Sequence, residues 1–150
     1  CGGLNLTSPS TKEEITAGKL VLSPTRTYAP IIAKILKQYR KKIDGMIHCS
    51  GGAQTKVLHF LNDGCKVIKD NLFPIPPLFE MIQQQSKTEW KEMYKVFNMG
   101  HRMEIYTDEQ TAKEIIKISQ EFGVEAQIVG RVEEGEKSVE IYSPYGVFTY

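Results

Sequence analysis

Apolar residues recur along the chain with two different periods, and their alternation lays out a run of helices and strands. Ile31, Ile32, Ile35, Leu36 and Tyr39 repeat at helical spacing, and Pro30 fits the first turn, where a missing N–H costs little. Residues 45–49 form a short apolar strand, broken by Ser50-Gly51-Gly52. Val57, Leu58 and Leu61 then share a helical stripe over 53–61. Residues 65–68 read as a strand between Asn62-Asp63-Gly64 and Asp70-Asn71. Pro74-Ile75-Pro76-Pro77 is a rigid extended stretch, with Pro77 opening a helix through Gln84. Trp90, Met93, Tyr94 and Phe97 mark a further short helix, Asn98-Met99-Gly100 ends it, and 101–107 alternates as a strand. In the clearest helix Ala112, Ile115, Ile116, Ser119 and Phe122 share a face. Asp108 is its N-cap, and Gly123 stands where a left-handed C-terminal cap belongs. Residues 124–129, Val132, 138–142 and 147–150 are expected as strands, with Ser143-Pro144-Tyr145-Gly146 as a turn.

Residues 1–18 are rich in Gly, Ser, Thr and Pro without any period, and read as a tail or interdomain linker. The folded domain is therefore expected over 19–150, with 19–22 as a first short strand. Strands alternating with helices, followed by a β-rich end, predict an α/β (α+β) layered sandwich: a mixed sheet flanked by helices.

Composition narrows the class. A chain of 150 residues is long enough for one domain with a sizeable core and too short for two ordinary ones. Its net charge of +1 supplies no electrostatic footprint, so neither nucleic acid nor a membrane surface is an expected partner. The basic run over 37–42 sits at the end of a predicted helix, where cations complement the macrodipole. Cys1, Cys49 and Cys65 are odd in number and share no CxxC spacing. They read as reduced thiols in a cytoplasmic protein, not as a disulfide framework or a zinc site. No apolar stretch approaches the roughly 18 residues of a membrane span, and no signal peptide is visible. A start at Cys1-Gly2-Gly3 without Met suggests a piece of a longer protein.

Four segments have compositions that core packing does not explain. Ser23-Pro24-Thr25-Arg26-Thr27-Tyr28 gathers hydroxyls, a guanidinium and a phenol before a helix. An anion would find donors there, although on spacing alone an ordinary cap by Thr25 or Thr27, with Arg26 solvated, is the simpler reading. His48-Cys49-Ser50-Gly51-Gly52 ends a strand in a Gly pair and opens a helix, which allows close backbone approach to an anionic ligand. It is neither a Walker A loop nor a dinucleotide fingerprint, and His48 also fits as a satisfied core histidine. In residues 92–100, Met93, Tyr94 and Phe97 are core, while Asn98 and Gly100 form a turn able to present an amide. Phe73-Pro74-Ile75-Pro76-Pro77 is a rigid connector. No paired carboxylates, Ser-His-Asp set or HExxH motif is evident, and His59 and His101 have no partner residues nearby in sequence.

Taken in order, the same segments resemble the motifs of the aminoimidazole ribonucleotide synthetase (phosphoribosylformylglycinamidine cyclo-ligase) carboxy-terminal domain. Pro24-Thr25-Arg26-Thr27-Tyr28 is similar to its Pro-Thr-Arg-Ile-Tyr pattern. Residues 46–53 resemble Met/Ile-Ala-His-Ile-Thr-Gly-Gly-Gly, residues 73–79 resemble Trp-Pro-x-Pro-x-x-Phe, and residues 92–103 resemble Glu-Met-Tyr-Arg-Thr-Phe-Asn-Met-Gly-Ile-Gly-Met. The chain departs from the pattern at Ala53, which replaces the third glycine. It departs again at His101 and Arg102, where the family has a small or apolar residue and a glycine.

The resemblance implies ATP-dependent ring closure of formylglycinamidine ribonucleotide to aminoimidazole ribonucleotide in purine biosynthesis. In that reaction ATP phosphorylates the formyl oxygen, an amidine-side nitrogen attacks, and phosphate departs. It further implies that ATP and Mg2+ are held mainly by an N-terminal ATP-binding domain, the partner of this substrate-side domain. The full-length enzyme is then expected to be a homodimer, and this chain alone to be inactive. Carried over residue by residue, His48 is the candidate for orienting substrate or transferring a proton. Thr25, Arg26, Tyr28, Ser50, Gly51, Gly52, Asn98 and Gly100 are candidates for substrate-binding or interdomain contacts, and no residue is expected to ligate a metal. A related ATP-using enzyme of the selenophosphate synthetase or hydrogenase-maturation type is the alternative within enzymes. A non-catalytic ligand-binding module is the alternative outside them.

Overall fold

Two short strands, β1 (Asn5–Thr7) and β2 (Glu14–Thr16), pair antiparallel ahead of the first helix. They belong to a computed structural model that describes residues 5–7, 14–22 and 27–150. Helices α1 (Ala17–Val21) and α2 (Ala29–Tyr39) follow, then β3 (Ile43–His48) and β4 (Cys65–Lys69). Next come α3 (Pro77–Ser86), α4 (Trp90–Val96), β5 (Met103–Thr107) and α5 (Glu109–Glu121). The chain finishes in β6 (Gly130–Glu134), β7 (Ser138–Ser143) and β8 (Gly146–Thr149).

The strands form layers that match the α/β expectation. β3 and β5 pair antiparallel, while the larger sheet runs β6-β4-β7-β8. Within it β4 and β7 are parallel and the other pairs antiparallel, so the sheet is mixed. Side-chain alternation along β5 divides the core in two. Ile105 faces α2 and α5, in a cluster of Ile31, Ile35, Ile115 and Ile118. Tyr106 faces the other way, toward Ile47, Val67, Met93, Tyr94, Val139 and Ile141. This second cluster joins both sheets to α4, and Phe79 and Ile82 of α3 pack on it.

Local signals account for the helix ends. Asp108 accepts a hydrogen bond from the Thr111 N–H at 2.9 Å, capping α5 as expected. Gly123 follows α5 at φ +65°, and the Val124 N–H reaches back to the Ser119 carbonyl.

Three expectations are corrected. Residues 19–22 do not form a strand: the Leu22 N–H bonds to the Gly18 carbonyl and closes a helical turn. Val21 and Leu22 remain 65% and 82% exposed, so no sheet buries them as a strand would require. Residues 53–61 form a tighter 3-10 helix over Ala53–His59. Residues 124–129 make no strand either. Side-chain bonds from Asn71 to the Ile128 carbonyl and from Gln127 to the Asn71 carbonyl take the place of a ladder, and pairing resumes only at Gly130.

Candidate functional site

The turn after β3 carries the first group of nominated residues. His48 is exposed at the strand end, so it is not a core histidine. The Cys49 N–H bonds to the Arg102 carbonyl at 2.9 Å, which ties this turn to the start of β5. The chain then folds back, with Ser50 N–H on the His48 carbonyl and Ala53 N–H on the Ser50 carbonyl. Gly52 sits at φ +84° and Ala53 at φ +42°. Gly51 faces open space, with nothing within 4 Å of where a Cβ would lie. Lys56, which the sequence did not single out, donates from Nζ to Ser50 Oγ at 3.2 Å. The crest therefore presents an imidazole, a hydroxyl, an ammonium and the exposed Gly51-Gly52 backbone, a donor set suited to an oxyanion. The helix behind it is only a seven-residue 3-10 segment, so these groups, and not a helix dipole, supply the attraction.

Asn98 and Gly100 build the second turn. Asn98 Oδ1 accepts the Gly100 N–H at 3.0 Å, which commits the carboxamide oxygen to the turn. Gly100 adopts φ +96°, and a Cβ there would lie 3.3 Å from Pro76 Cγ, so this position needs glycine on both counts. His101 is 3% exposed. Its Nε2 accepts the Phe73 N–H at 3.2 Å, and its ring lies edge-on to Phe73. Burial, reinforced by the Lys69 charge, lowers the His101 pKa to about 4 and keeps the ring neutral.

Between the two turns lies Gln54, which is fully buried. Its Nε2 donates to the Asn98 carbonyl at 2.6 Å. Lys69 Nζ donates to the Gln54 carbonyl at 2.7 Å, to Gln54 Oε1 at 3.1 Å and to Glu104 Oε1 at 2.5 Å. The other Glu104 oxygen accepts the Tyr106 hydroxyl at 2.7 Å. Burial, then the Glu104 charge, pushes the Tyr106 phenol up, which keeps it a donor. The Cys49 thiol, beside the same carboxylate, is raised to about 12 mainly by burial. Gln54, Lys69, Glu104 and Tyr106 were missed in the sequence. A signal existed: Lys69 shares the inward phase of Val67, and Glu104 shares that of Tyr106. Buried Lys and Glu are rare unless paired.

The structure thus joins the turns at 48–54 and 98–101, but it does not bring every nominated residue there. Tyr28 precedes α2 and packs against the Ile31–Ile35–Ile115–Ile118 cluster instead. Thr25 and Arg26 lie outside the described residues. Among the described residues no group of three His, Cys, Asp or Glu side chains gathers to hold a metal. Two surface crevices, of about 540 and 410 Å³, are lined by Lys66, Glu134 and Lys137 and by Asp70, Phe73 and Tyr142 respectively. Neither contains a nominated residue.

A model of the family described as AIR synthase related protein, C-terminal domain, matches residues 3–143. The chain belongs to this family. Its relatives include the phosphoribosylformylglycinamidine cyclo-ligase of Alkaliphilus metalliredigens, 33% identical over 126 residues and covering 83% of this chain. The cyclo-ligase of Bacillus thuringiensis is 33% identical over 136 residues, covering 89%. The chain spans only 36% and 39% of the length of these relatives. A crystal structure of the Escherichia coli hydrogenase maturation protein HypE aligns with TM-score 0.58 at 18% identity, covering 81% of this chain and 38% of that one. That likeness is one of fold alone. Among the described residues no helix is long and apolar enough to cross a membrane.

Proposed function

We propose that this AIR synthase related C-terminal domain forms the substrate side of an ATP-dependent cyclo-ligase that converts formylglycinamidine ribonucleotide to aminoimidazole ribonucleotide. The observation that carries this reading is the 33% identity to cyclo-ligases over most of the chain. A match covering 83% of 150 residues necessarily includes both turns.

The chemistry of the turns suits the task. Ser50, Lys56 and the Gly51-Gly52 backbone hold an anionic group such as the ribonucleotide phosphate, and Arg26 adds an anion contact or an interdomain ion pair. His48 orients the substrate or moves a proton at the closing ring. Asn98 and Gly100 complete the substrate surface, and Thr25 and Tyr28, ahead of α2, contribute to an interdomain one. ATP supplies the phosphoryl group that makes the formyl oxygen a leaving group. In this reading ATP and Mg2+ are held by an N-terminal ATP-binding domain, and the whole enzyme is a cytoplasmic homodimer whose C-terminal domain alone is inactive. Positioning and charge stabilisation are what these residues contribute.

The test is turnover of formylglycinamidine ribonucleotide with ATP by the full-length protein carrying this domain, beside its Arg26→Ala and His48→Ala variants. Product formation by the wild type and its loss in the variants support the reading. Unchanged turnover and affinity in both variants would sink the residue assignment. A wild type that hydrolyses ATP without making aminoimidazole ribonucleotide would sink the function.

A further inference from the structure

We propose that Lys69 and Glu104 are positioning residues that lock the 48–54 turn against the 98–101 turn through Gln54. By doing so they set the shape of the substrate-contacting surface. The inference rests on the reading of those turns as ligand contacts.

The geometry of the ammonium group carries it. Lys69 has three N–H donors and three acceptors, and two of the acceptors belong to Gln54. With its carbonyl and Oε1 both held, Gln54 has one direction left for Nε2, toward the Asn98 carbonyl. Glu104 holds Lys69 from the β5 side and is itself held by Tyr106. Every member of the chain is therefore oriented by the next, from β5 through β4 to both turns. The turns need such a hold, since Ala53 and Met99 both sit at positive φ, at +42° and +51°. Non-glycine residues stay in that region only when their surroundings over-determine it.

Stability alone does not call for this arrangement. Lys69 and Glu104 are 1% and 7% exposed, and a buried ion pair is commonly no better for stability than an apolar pair of the same volume. What an apolar pair cannot supply is direction. Leu and Met side chains in these places would fill the volume and leave Gln54 free to turn away from Asn98.

The decisive variant is therefore the volume-conserving double replacement Lys69→Met with Glu104→Leu, made in the full-length protein. The melting temperature is expected to lie above that of either single variant, and below wild type because the Gln54 carbonyl and Oε1 and the Tyr106 hydroxyl lose their partners. Amide exchange at Ala53 and Gly100, whose N–H groups bond to the Ser50 carbonyl and to Asn98 Oδ1, should nonetheless quicken at least tenfold, and the KM for formylglycinamidine ribonucleotide should rise at least tenfold with kcat changed far less. Gln54→Met, which leaves Lys69 and Glu104 paired, should reproduce the exchange and KM effects and decides the matter should the double variant fail to fold. Wild-type exchange at both amides together with wild-type KM, in either variant, overturns the inference. Absence of cyclo-ligase turnover in the wild type would instead count against the functional reading, with amide exchange still deciding whether the pair holds the turns.

Discussion

His101 should make the domain lose stability as the pH falls from neutral toward 4. The ring is 3% exposed and accepts the Phe73 N–H through Nε2, so a proton there would set a donor against a donor. In the unfolded chain the imidazole titrates at its ordinary 6.5, whereas in the fold burial and the Lys69 charge hold it at about 4. At pH 7 the ring is neutral in both states and its contribution is complete. Between 6.5 and 4 the unfolded chain takes up a proton that the native ring refuses, and stability drains away. Below about 4 both states are protonated and this loss stops. At about 1.4 kcal/mol per pKa unit, the whole span is worth about 3 kcal/mol, a large share of the roughly 5–15 kcal/mol that holds a domain together.

Carboxylates titrate in the same range, so a paired measurement is needed. His101→Gln retains a side-chain acceptor and removes the titration. Urea unfolding of wild type and His101→Gln at several pH values from 7 to 4 gives two curves. The advantage of the wild type should shrink by about 3 kcal/mol on acidification. A constant gap between the curves, or an imidazole NMR midpoint near 6.5, would refute the reasoning.

The remaining expectations concern packing and reactivity. A Cβ added at Gly130 would lie 1.9 Å from the Ile68 carbonyl oxygen, so Gly130→Ala must push β6 off β4. It should cost about 3 kcal/mol or more, read by denaturant unfolding; a loss under about 1 kcal/mol would mean the strands part easily. The rise of the Cys49 thiol from 9.0 to about 12 cuts its thiolate roughly a thousandfold. Native protein should therefore alkylate at half-buried Cys65 and leave Cys49 untouched until unfolded, as peptide mass mapping would reveal. Equal labelling of the two would contradict the buried placement of Cys49.

The departures from the family pattern acquire physical roles once the packing is known. His101 pins the Phe73 backbone from inside the core, while Arg102 stays exposed and its carbonyl accepts the Cys49 N–H. Ala53 takes the left-handed conformation that a glycine would adopt without strain, and its side chain is 1% exposed.

What the sequence determined by itself was local. Helical periodicity placed α2 and α5, Asp108 and Gly123 marked the ends of α5, and proline at its first position marked the start of α3. Each of these signals works within a turn or two of chain, where a few neighbouring residues decide the backbone. The two turns at 48–54 and 98–101 were visible for the same reason, from their glycines and Asn98. Only the tertiary structure decided that they touch. The bonds that join them run between residues 15, 35 and 44 positions apart, and nothing in the spacing of Gln54, Lys69 and Glu104 announces a contact. Strand 124–129 failed in the same way: the ladder it required was replaced by bonds that join its own Gln127 and Ile128 carbonyl to Asn71 across the fold. Burial forces charges on distant strands to find one another, and which ones meet is settled when the sheets close.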